Sequence, residues 1–186
     1  MTCNNDWDEL EEIIVGTATS CNIPDPNISI MKCHFPEYEE EYIKSVVGYY
    51  PQQIIDEQNE DLEILSNTLK SLGVTVYRPD TQYAEYNTKS PNWEGKNWQY
   101  YSPRDLTLVI GDKIIETPTP LWNRQFETWG YRDIFTKLFK EGYKWLKAPV
   151  PILFDKNYKE DTKGVPSLNN EEILFEAANC VRVNKV

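Results

Sequence analysis

The stretch SPRDLTLVIGDKIIETP, residues 102–118, lies just past the middle of this chain and carries a clear strand-turn-strand pattern. An apolar run at Leu106–Ile110 is followed by a Gly-Asp pair and by a second run at Lys113–Glu116. Two short apolar runs joined by a glycine-containing turn are typical of a β-hairpin. The Asp105 carboxylate stands at the entrance to the first strand, where it can cap a turn, pair with a nearby arginine or contact a ligand.

The hydrophobic pattern outward from this hairpin predicts a mixed α/β chain. The run Ile13–Val15, ended by Gly16, is typical of a short buried strand. Residues 51–73 carry apolar side chains at helical spacing, with Gly73 placed to end the helix, and a strand is expected within residues 74–80. The apolar stripe of the predicted helix consists of Ile54, Ile55, Leu62, Ile64, Leu65, Leu69 and Leu72.

The other segments have weaker patterns. Residues 123–142 place large apolar side chains at roughly helical spacing, and residues 171–186 begin like a strand. No glycine-rich phosphate-binding motif is present in the sequence. We expect small helix-strand-hairpin units rather than long βαβ crossovers. Loops or irregular stretches are predicted at residues 20–27, 28–50, 80–100 and 158–170.

The charge balance restricts the classes of ligand. Nineteen basic and thirty acidic residues give a formal net charge of −11. Such a field repels nucleic acid and anionic membranes and attracts a guanidinium or an amine, although acidity can also serve solubility alone. The N-terminus lacks the apolar segment of a secretory signal, and no apolar run has the length of a membrane helix, so a cytoplasmic location with free thiols is expected.

Cysteine and histidine usage argues against a metal site. The four cysteines show no CxxC spacing, and the chain contains one histidine, His34, so we predict no zinc site and no cofactor. Cys33 and His34 are sequence neighbours, which point to opposite faces of an extended chain, so they are not expected to form a catalytic pair. The cysteines are Cys3, Cys21, Cys33 and Cys180.

Four stretches together resemble the N-terminal half of the glycine (L-arginine:glycine) amidinotransferase family, over about residues 5–182. The resemblance implies a pentein-type α/β propeller, incomplete, with about the first two to three modules in a single partial domain of residues 1–186. The family transfers an amidino group from arginine to an amine such as glycine through a covalent cysteine intermediate. The stretches are NDWDELEEIIVG (5–16), LKSLGVTVYRPD (69–80), SPRDLTLVIGDKIIETP (102–118) and NRQFETWGYRDIF (123–135).

The resemblance also assigns roles to residues. It implies that Asp105 contacts the guanidino group of the substrate, since a carboxylate can accept paired hydrogen bonds from a planar guanidinium. Asn179, in FEAAN, occupies the position of a family aspartate that orients the catalytic histidine. The family's histidine and cysteine would lie beyond Val186, so no catalytic residue is assigned, and the chain alone is predicted to be inactive. The alternative is a non-catalytic guanidine-binding or protein-interaction module derived from that fold.

Two further expectations concern packing. Trp93, Trp98, Tyr100 and Tyr101 are expected to pack in a loop, with a cation-binding cage as the alternative. Arg124, Glu127 and Arg132 are expected to form a salt-bridge network on a helix rather than a catalytic group, and the alternative partners for Asp105 are Arg104 and Arg132. An incomplete propeller leaves an open edge, so a homo-oligomer or a partner chain is expected to cover it.

Overall fold

A computed structural model describes residues 3–160 and 166–183 of the chain. Within these residues the chain is a mixed α/β structure of short elements. The helices are α1 (Ile28–Cys33), α2 (Glu40–Val46), α3 (Gln52–Ser71), α4 (Pro103–Leu106) and α5 (Arg132–Lys140). The strands are β1 (Glu12–Ile14), β2 (Asn22–Ile23), β3 (Gly48–Tyr49), β4 (Thr75–Tyr77), β5 (Asn87–Lys89), β6 (Glu94–Lys96), β7 (Thr107–Ile110), β8 (Lys113–Glu116), β9 (Lys144–Lys147), β10 (Tyr158–Glu160) and β11 (Pro166–Leu168).

The predicted hairpin is confirmed and forms the centre of a three-stranded sheet. Strand β8 pairs antiparallel with β7 and parallel with β9, so that Ile114 lies opposite both Val109 and Trp145. The turn places Gly111 at a φ of 57°, a conformation that glycine adopts without the cost of a Cβ clash. The first strand begins at Thr107, one residue later than predicted, because the preceding residues form the single turn α4.

Helix α5 connects β8 to β9 and covers this sheet. Its residue Phe135 is fully buried, and the Phe135 ring lies 5.6 Å from the Trp145 ring. The cluster around Phe135 also includes Ile114 and Tyr100, which joins the sheet to the segment before α4. Leu106, the last residue of α4, is also buried, which anchors the turn that carries Asp105 in the interior beside the sheet.

Strands β1 and β4 form a separate parallel pair. Helix α3 directly precedes β4 in the chain. The predicted long helix is confirmed over Gln52–Ser71, and Gly73 follows it with a φ of 88°, as expected for a helix end. The predicted apolar stripe is wrong in part: Ile55 is buried, but four members of the stripe are exposed. The exposed members are Ile54, Ile64, Leu65 and Leu72.

The stretches predicted as irregular contain regular elements. Residues 20–27 include β2, residues 28–50 include α1, α2 and β3, residues 80–100 contain the β5–β6 hairpin, and residues 158–170 contain β10 and β11, with 161–165 outside the described residues. Strands of two or three residues are too short to show an alternating pattern. Helix α1 depends on a local contact, since the Asn27 side chain accepts hydrogen bonds from the first backbone N–H groups.

Two segments differ from their predicted form. The predicted helical segment 123–142 consists of two 3-10 turns, Trp122–Arg124 and Glu127–Tyr131, followed by α5. The segment expected to begin as a strand has no strand in residues 171–183, and a 3-10 turn lies at Ala177–Asn179. Within the described part of the chain, no helix combines the length and the apolar character needed to cross a bilayer.

Candidate active-site cleft

A cleft of about 590 Å³ opens where α1, α4, the Trp122–Arg124 turn and the C-terminal segment approach one another. This size lies in the range of small-molecule binding sites. Two residues that the sequence singled out, Asp105 and Asn179, both line the cleft. The lining residues are Lys32, Cys33, His34, Asp105, Pro120, Leu121, Arg124, Ser167, Leu168, Leu174, Phe175, Glu176 and Asn179.

Arg124 organises the floor of this cleft. Its Nη1 atom lies 3.0 Å from Asp105 Oδ2 and 3.5 Å from Glu176 Oε2, and its Nε atom donates at 3.0 Å to both oxygens of Glu127. The side chain of Arg124 is 5% exposed and that of Glu127 is 2% exposed, whereas Asp105 is 25% and Glu176 is 17% exposed. Two of the three carboxylates therefore reach from a buried cation to the cleft.

This arrangement corrects the expected partners of Asp105. The sequence offered Arg104 and Arg132, and neither contact forms. Arg104 donates instead to the backbone carbonyls of Ala177 and Cys180, at 2.8 Å for Cys180. Arg132 lies over the Trp145 ring at 5.3 Å, so it does not belong to the predicted Arg124–Glu127–Arg132 network. A helical spacing alone does not show which arginine turns inward.

Three sequence elements thus meet at one place. Arg104 ties the α4 turn to the FEAAN segment, and Arg124 ties α4 to Glu176 of the same segment. Glu176 also accepts a hydrogen bond of 2.6 Å from Thr119, directly after the hairpin. Sequence reasoning missed the role of Glu176, although its place inside the FEAAN element was a usable signal.

The electrostatics of the cluster favour an additional cation. Burial by itself lowers the pKa of the Arg124 guanidinium, but Glu127, Glu176 and Asp105 raise that pKa above its ordinary value. Burial raises the pKa of the Glu127 carboxyl, and the pairing with Arg124 opposes that rise. Whether or not Glu127 holds a proton, these four side chains carry at least one negative charge in excess.

The predicted packing of the aromatic residues is confirmed for Trp93, Trp98 and Tyr100, which are buried, whereas Tyr101 is 38% exposed. Trp98 lies next to the cleft floor, with the guanidinium carbon of Arg124 at 5.8 Å from its ring. Trp98 therefore covers one face of the buried cation, which helps to keep water from it.

Comparison with known proteins gives the family context of this geometry. The chain is 39% identical over 184 residues to inosamine-phosphate amidinotransferase 1 of Streptomyces griseus, covering 98% of the chain and 52% of that protein. It is 33% identical over 157 residues to mitochondrial glycine amidinotransferase of Xenopus tropicalis, covering 84% of the chain and 37% of that protein. The chain belongs to the amidinotransferase family. It matches the N-terminal part of these relatives and spans about half the length of the Streptomyces protein and 37% of the Xenopus protein.

Solved amidinotransferase structures share the architecture. The inosamine-phosphate amidinotransferase of Streptomyces griseus superposes with a TM-score of 0.90 at 38% identity, over 98% of this chain and 52% of that one. An amidinotransferase from Microseira wollei, in the saxitoxin biosynthetic pathway, superposes with a TM-score of 0.82 at 32% identity, over 98% of this chain and 54% of that one. No protein-family model matches the chain.

The thiol of Cys33 and the imidazole of His34, which both line the cleft, differ in protonation and hence in reactivity. The Cys33 residue is exposed overall, but desolvation of its thiol by neighbouring atoms and the charge of Glu176 raise the pKa of this thiol to about 11, so it is protonated at neutral pH and is a poor nucleophile. Burial and Arg124 lower the pKa of His34, whereas Glu37 opposes this, so the imidazole is neutral at pH 7. The sequence argument gave no indication that His34 lines the same cleft as Asp105.

Proposed function

We propose that this chain forms the guanidinium-binding part of an amidinotransferase active site. An arginine-like guanidino compound is the ligand, and transfer of its amidino group to an amine is the reaction of the complete site. The observation that carries the proposal is the contact of one buried arginine, Arg124, with the three carboxylates of Asp105, Glu127 and Glu176.

A second guanidinium completes the charge balance of this cluster. Asp105 and Glu176 share the single Nη1 atom of Arg124, and both side chains remain partly exposed in the cleft. A planar guanidinium presents several N–H donors in a fixed geometry, so it can bond to two carboxylates at once. A neutral or anionic ligand would add no positive charge to these carboxylates.

The chain by itself is proposed to bind without catalysing transfer. Asn179 stands where the family has an aspartate, and an amide cannot supply the negative charge that stabilises an imidazolium. The Cys33 thiol is protonated at neutral pH, as its raised pKa requires. Removal of single members of a catalytic set typically costs many orders of magnitude in rate.

A second candidate function is a non-catalytic guanidine-binding module. Asn179 is the observation that favours it, since this residue keeps the shape of the family's aspartate without its charge. Both candidates share one fold proposal: the chain supplies the first two to three modules of a pentein propeller, and a second copy or a partner chain covers the open edge. Size-exclusion chromatography with light scattering tests the assembly, and a monomer over the micromolar range would contradict it.

The binding proposal is tested by calorimetry of the purified chain with arginine and with guanidinoacetate. We expect binding of at least one of these ligands and its loss in Asp105→Ala. The matched control is Asp112→Ala, which removes an exposed carboxylate at the hairpin turn and leaves the cleft unchanged. Absence of binding in the unaltered chain would reject both guanidine-binding candidates, and equal losses in the two variants would reject the assignment to Asp105.

A further inference from the structure

The imidazole of His34 lies at the wall of the cleft, where the residue is exposed to solvent and its ring contacts two aromatic rings. His34 directly follows α1, and its backbone N–H donates a hydrogen bond of 2.9 Å to the carbonyl oxygen of Ile30. Its ring meets the rings of Phe35 and Trp98 edge to face, with both centroids at 4.5 Å. Trp98 is buried, so one of the two rings that hold the imidazole is itself immobilised by the core.

His34 and Arg124, the centre of the carboxylate cluster, both lie close to Trp98 and both line the cleft. The same indole that contacts His34 at 4.5 Å lies 5.8 Å from the guanidinium carbon of Arg124, so the two groups are separated by at most the sum of these distances. Asp105 is in direct contact with Arg124. A small alkyl guanidine bound at Asp105 is long enough to reach from one group to the other.

The charges around His34 come from several elements. Arg124, from the 3-10 turn, disfavours the imidazolium, and Glu37, in the segment after α1, favours it. Lys32 and Cys33 of α1 border the same cleft. The carboxylates of Asp105 and Glu176 line the same cleft, so they add negative charge to the surroundings of His34.

We propose that His34 is a specificity-determining residue of this cleft: as a neutral imidazole, it accepts a hydrogen bond from the end of the ligand remote from the guanidinium. The proposal rests on the proposed function, because it requires a guanidinium at Asp105. The ligand class is narrowed to guanidino compounds whose far end carries an ammonium or hydroxyl donor. A cleft of about 590 Å³ leaves ample space for such a tail.

A neutral imidazole suits this role for a chemical reason. One ring nitrogen of a neutral imidazole is a hydrogen-bond acceptor, whereas an imidazolium has two donors and no acceptor. Protonated His34 would repel a cationic tail as well as lose the acceptor. Ligand selection at this end is therefore coupled to the protonation state of His34.

The test compares two ligands of equal chain length, agmatine, with an ammonium tail, and 1-butylguanidine, whose tail is apolar. Calorimetry at pH 7 is expected to give the unaltered chain a preference for agmatine. His34→Phe should reduce this preference about fivefold, the effect of one hydrogen bond. His34→Gln, which keeps an acceptor, should retain most of it.

A second readout uses the unaltered chain. Because His34 is the single histidine, the NMR signal of its Hε1 proton is the only one of its kind, and the pH titration of that signal reports the pKa of His34. Agmatine is expected to lower the pKa of His34 more than 1-butylguanidine does, since an accepted hydrogen bond stabilises the neutral ring. The two ligands also differ in charge, so the Phe and Gln variants decide whether the preference depends on the acceptor.

The outcomes separate the two proposals. If both ligands bind and the agmatine preference is the same in His34→Phe as in the unaltered chain, the guanidinium site stands and the role of His34 is overturned. A preference lost equally in His34→Phe and His34→Gln also overturns the acceptor role. If neither ligand binds, the proposed function fails and the role of His34 fails with it.

Discussion

Two clusters of charged side chains, one around Arg124 and one around Asp112, differ in how far they are buried. In the first, one cation contacts three carboxylates, and the Arg124 and Glu127 side chains are almost fully buried. In the second, one carboxylate at the hairpin turn contacts two lysines, Lys113 at 2.9 Å and Lys144 at 2.6 Å. The distances are alike, but the Asp112 side chain is 36% exposed and that of Lys144 is 60% exposed.

The difference shows that burial, rather than contact distance, decides what an ion pair does. Exposed pairs are screened by water and salt and contribute little to stability. A buried pair contributes little net stability either, but the loss of one partner leaves an uncompensated charge in the interior, which is costly. The Asp112 cluster joins β8 to the start of β9, whereas the Arg124 cluster places charged side chains at the floor of the cleft.

The largest effect is expected from Arg124→Met. This change leaves Glu127 buried without its partner, so we expect a loss of about 3–5 kcal/mol in the free energy of unfolding, measured by urea denaturation. The matched control is Arg132→Met, an exposed arginine over the Trp145 ring, for which a loss of under about 1 kcal/mol is expected.

The double variant Arg124→Met/Glu127→Leu sharpens this result. If the uncompensated Glu127 charge causes the loss, then removal of that charge should restore part of the stability, because apolar side chains of similar volume can replace a buried ion pair. A double variant as unstable as Arg124→Met alone would assign the loss to the Asp105 and Glu176 contacts instead. Similar losses in Arg124→Met and Arg132→Met would remove the distinction between buried and exposed charge.

An intermediate effect on the free energy of unfolding is expected from the lowered pKa of His34. Burial and Arg124 lower the pKa of His34 below 6.5, so the unfolded chain binds more protons than the folded chain in this range. Stability should therefore be full above pH 6.5 and fall as the pH decreases from 6.5 towards the lowered pKa. Urea denaturation of the unaltered chain and His34→Gln between pH 7.5 and 5 measures this, and parallel curves would contradict it.

The smallest effect is expected from Asp112→Asn. Hydrogen bonds from Lys144 and Lys113 lower the pKa of Asp112 to about 2, so its contribution is present above the unfolded value near 3.8 and is lost as the pH falls towards 2. At pH 7 we expect a slightly lower Tm for the variant in low salt. The difference should disappear in 1 M NaCl, and its persistence there would argue against a screened surface interaction.

The central hairpin and helix α3 were predictable because their evidence is local. The hairpin has two apolar runs and a Gly-Asp turn within a dozen residues, and α3 shows helical spacing followed by Gly73. The short pairs β2–β3 and β5–β6 were missed, since strands of two or three residues do not establish a period. The exposure of Ile64 and Leu65 was also missed, because helical spacing shows which side chains share a face of α3 but not how much of that face other elements cover.

For the candidate site, the sequence by itself determined the residue types: Asp105 after Pro103 and Arg104, Asn179 in the FEAAN element, an acidic net charge and one histidine. The tertiary structure alone decided their partners. Asp105 meets Arg124, nineteen positions later, rather than the neighbouring Arg104, and His34 joins the same cleft from the first quarter of the chain. The physical reason is that pairing between distant residues depends on how the sheet and turns pack, which local sequence patterns do not contain.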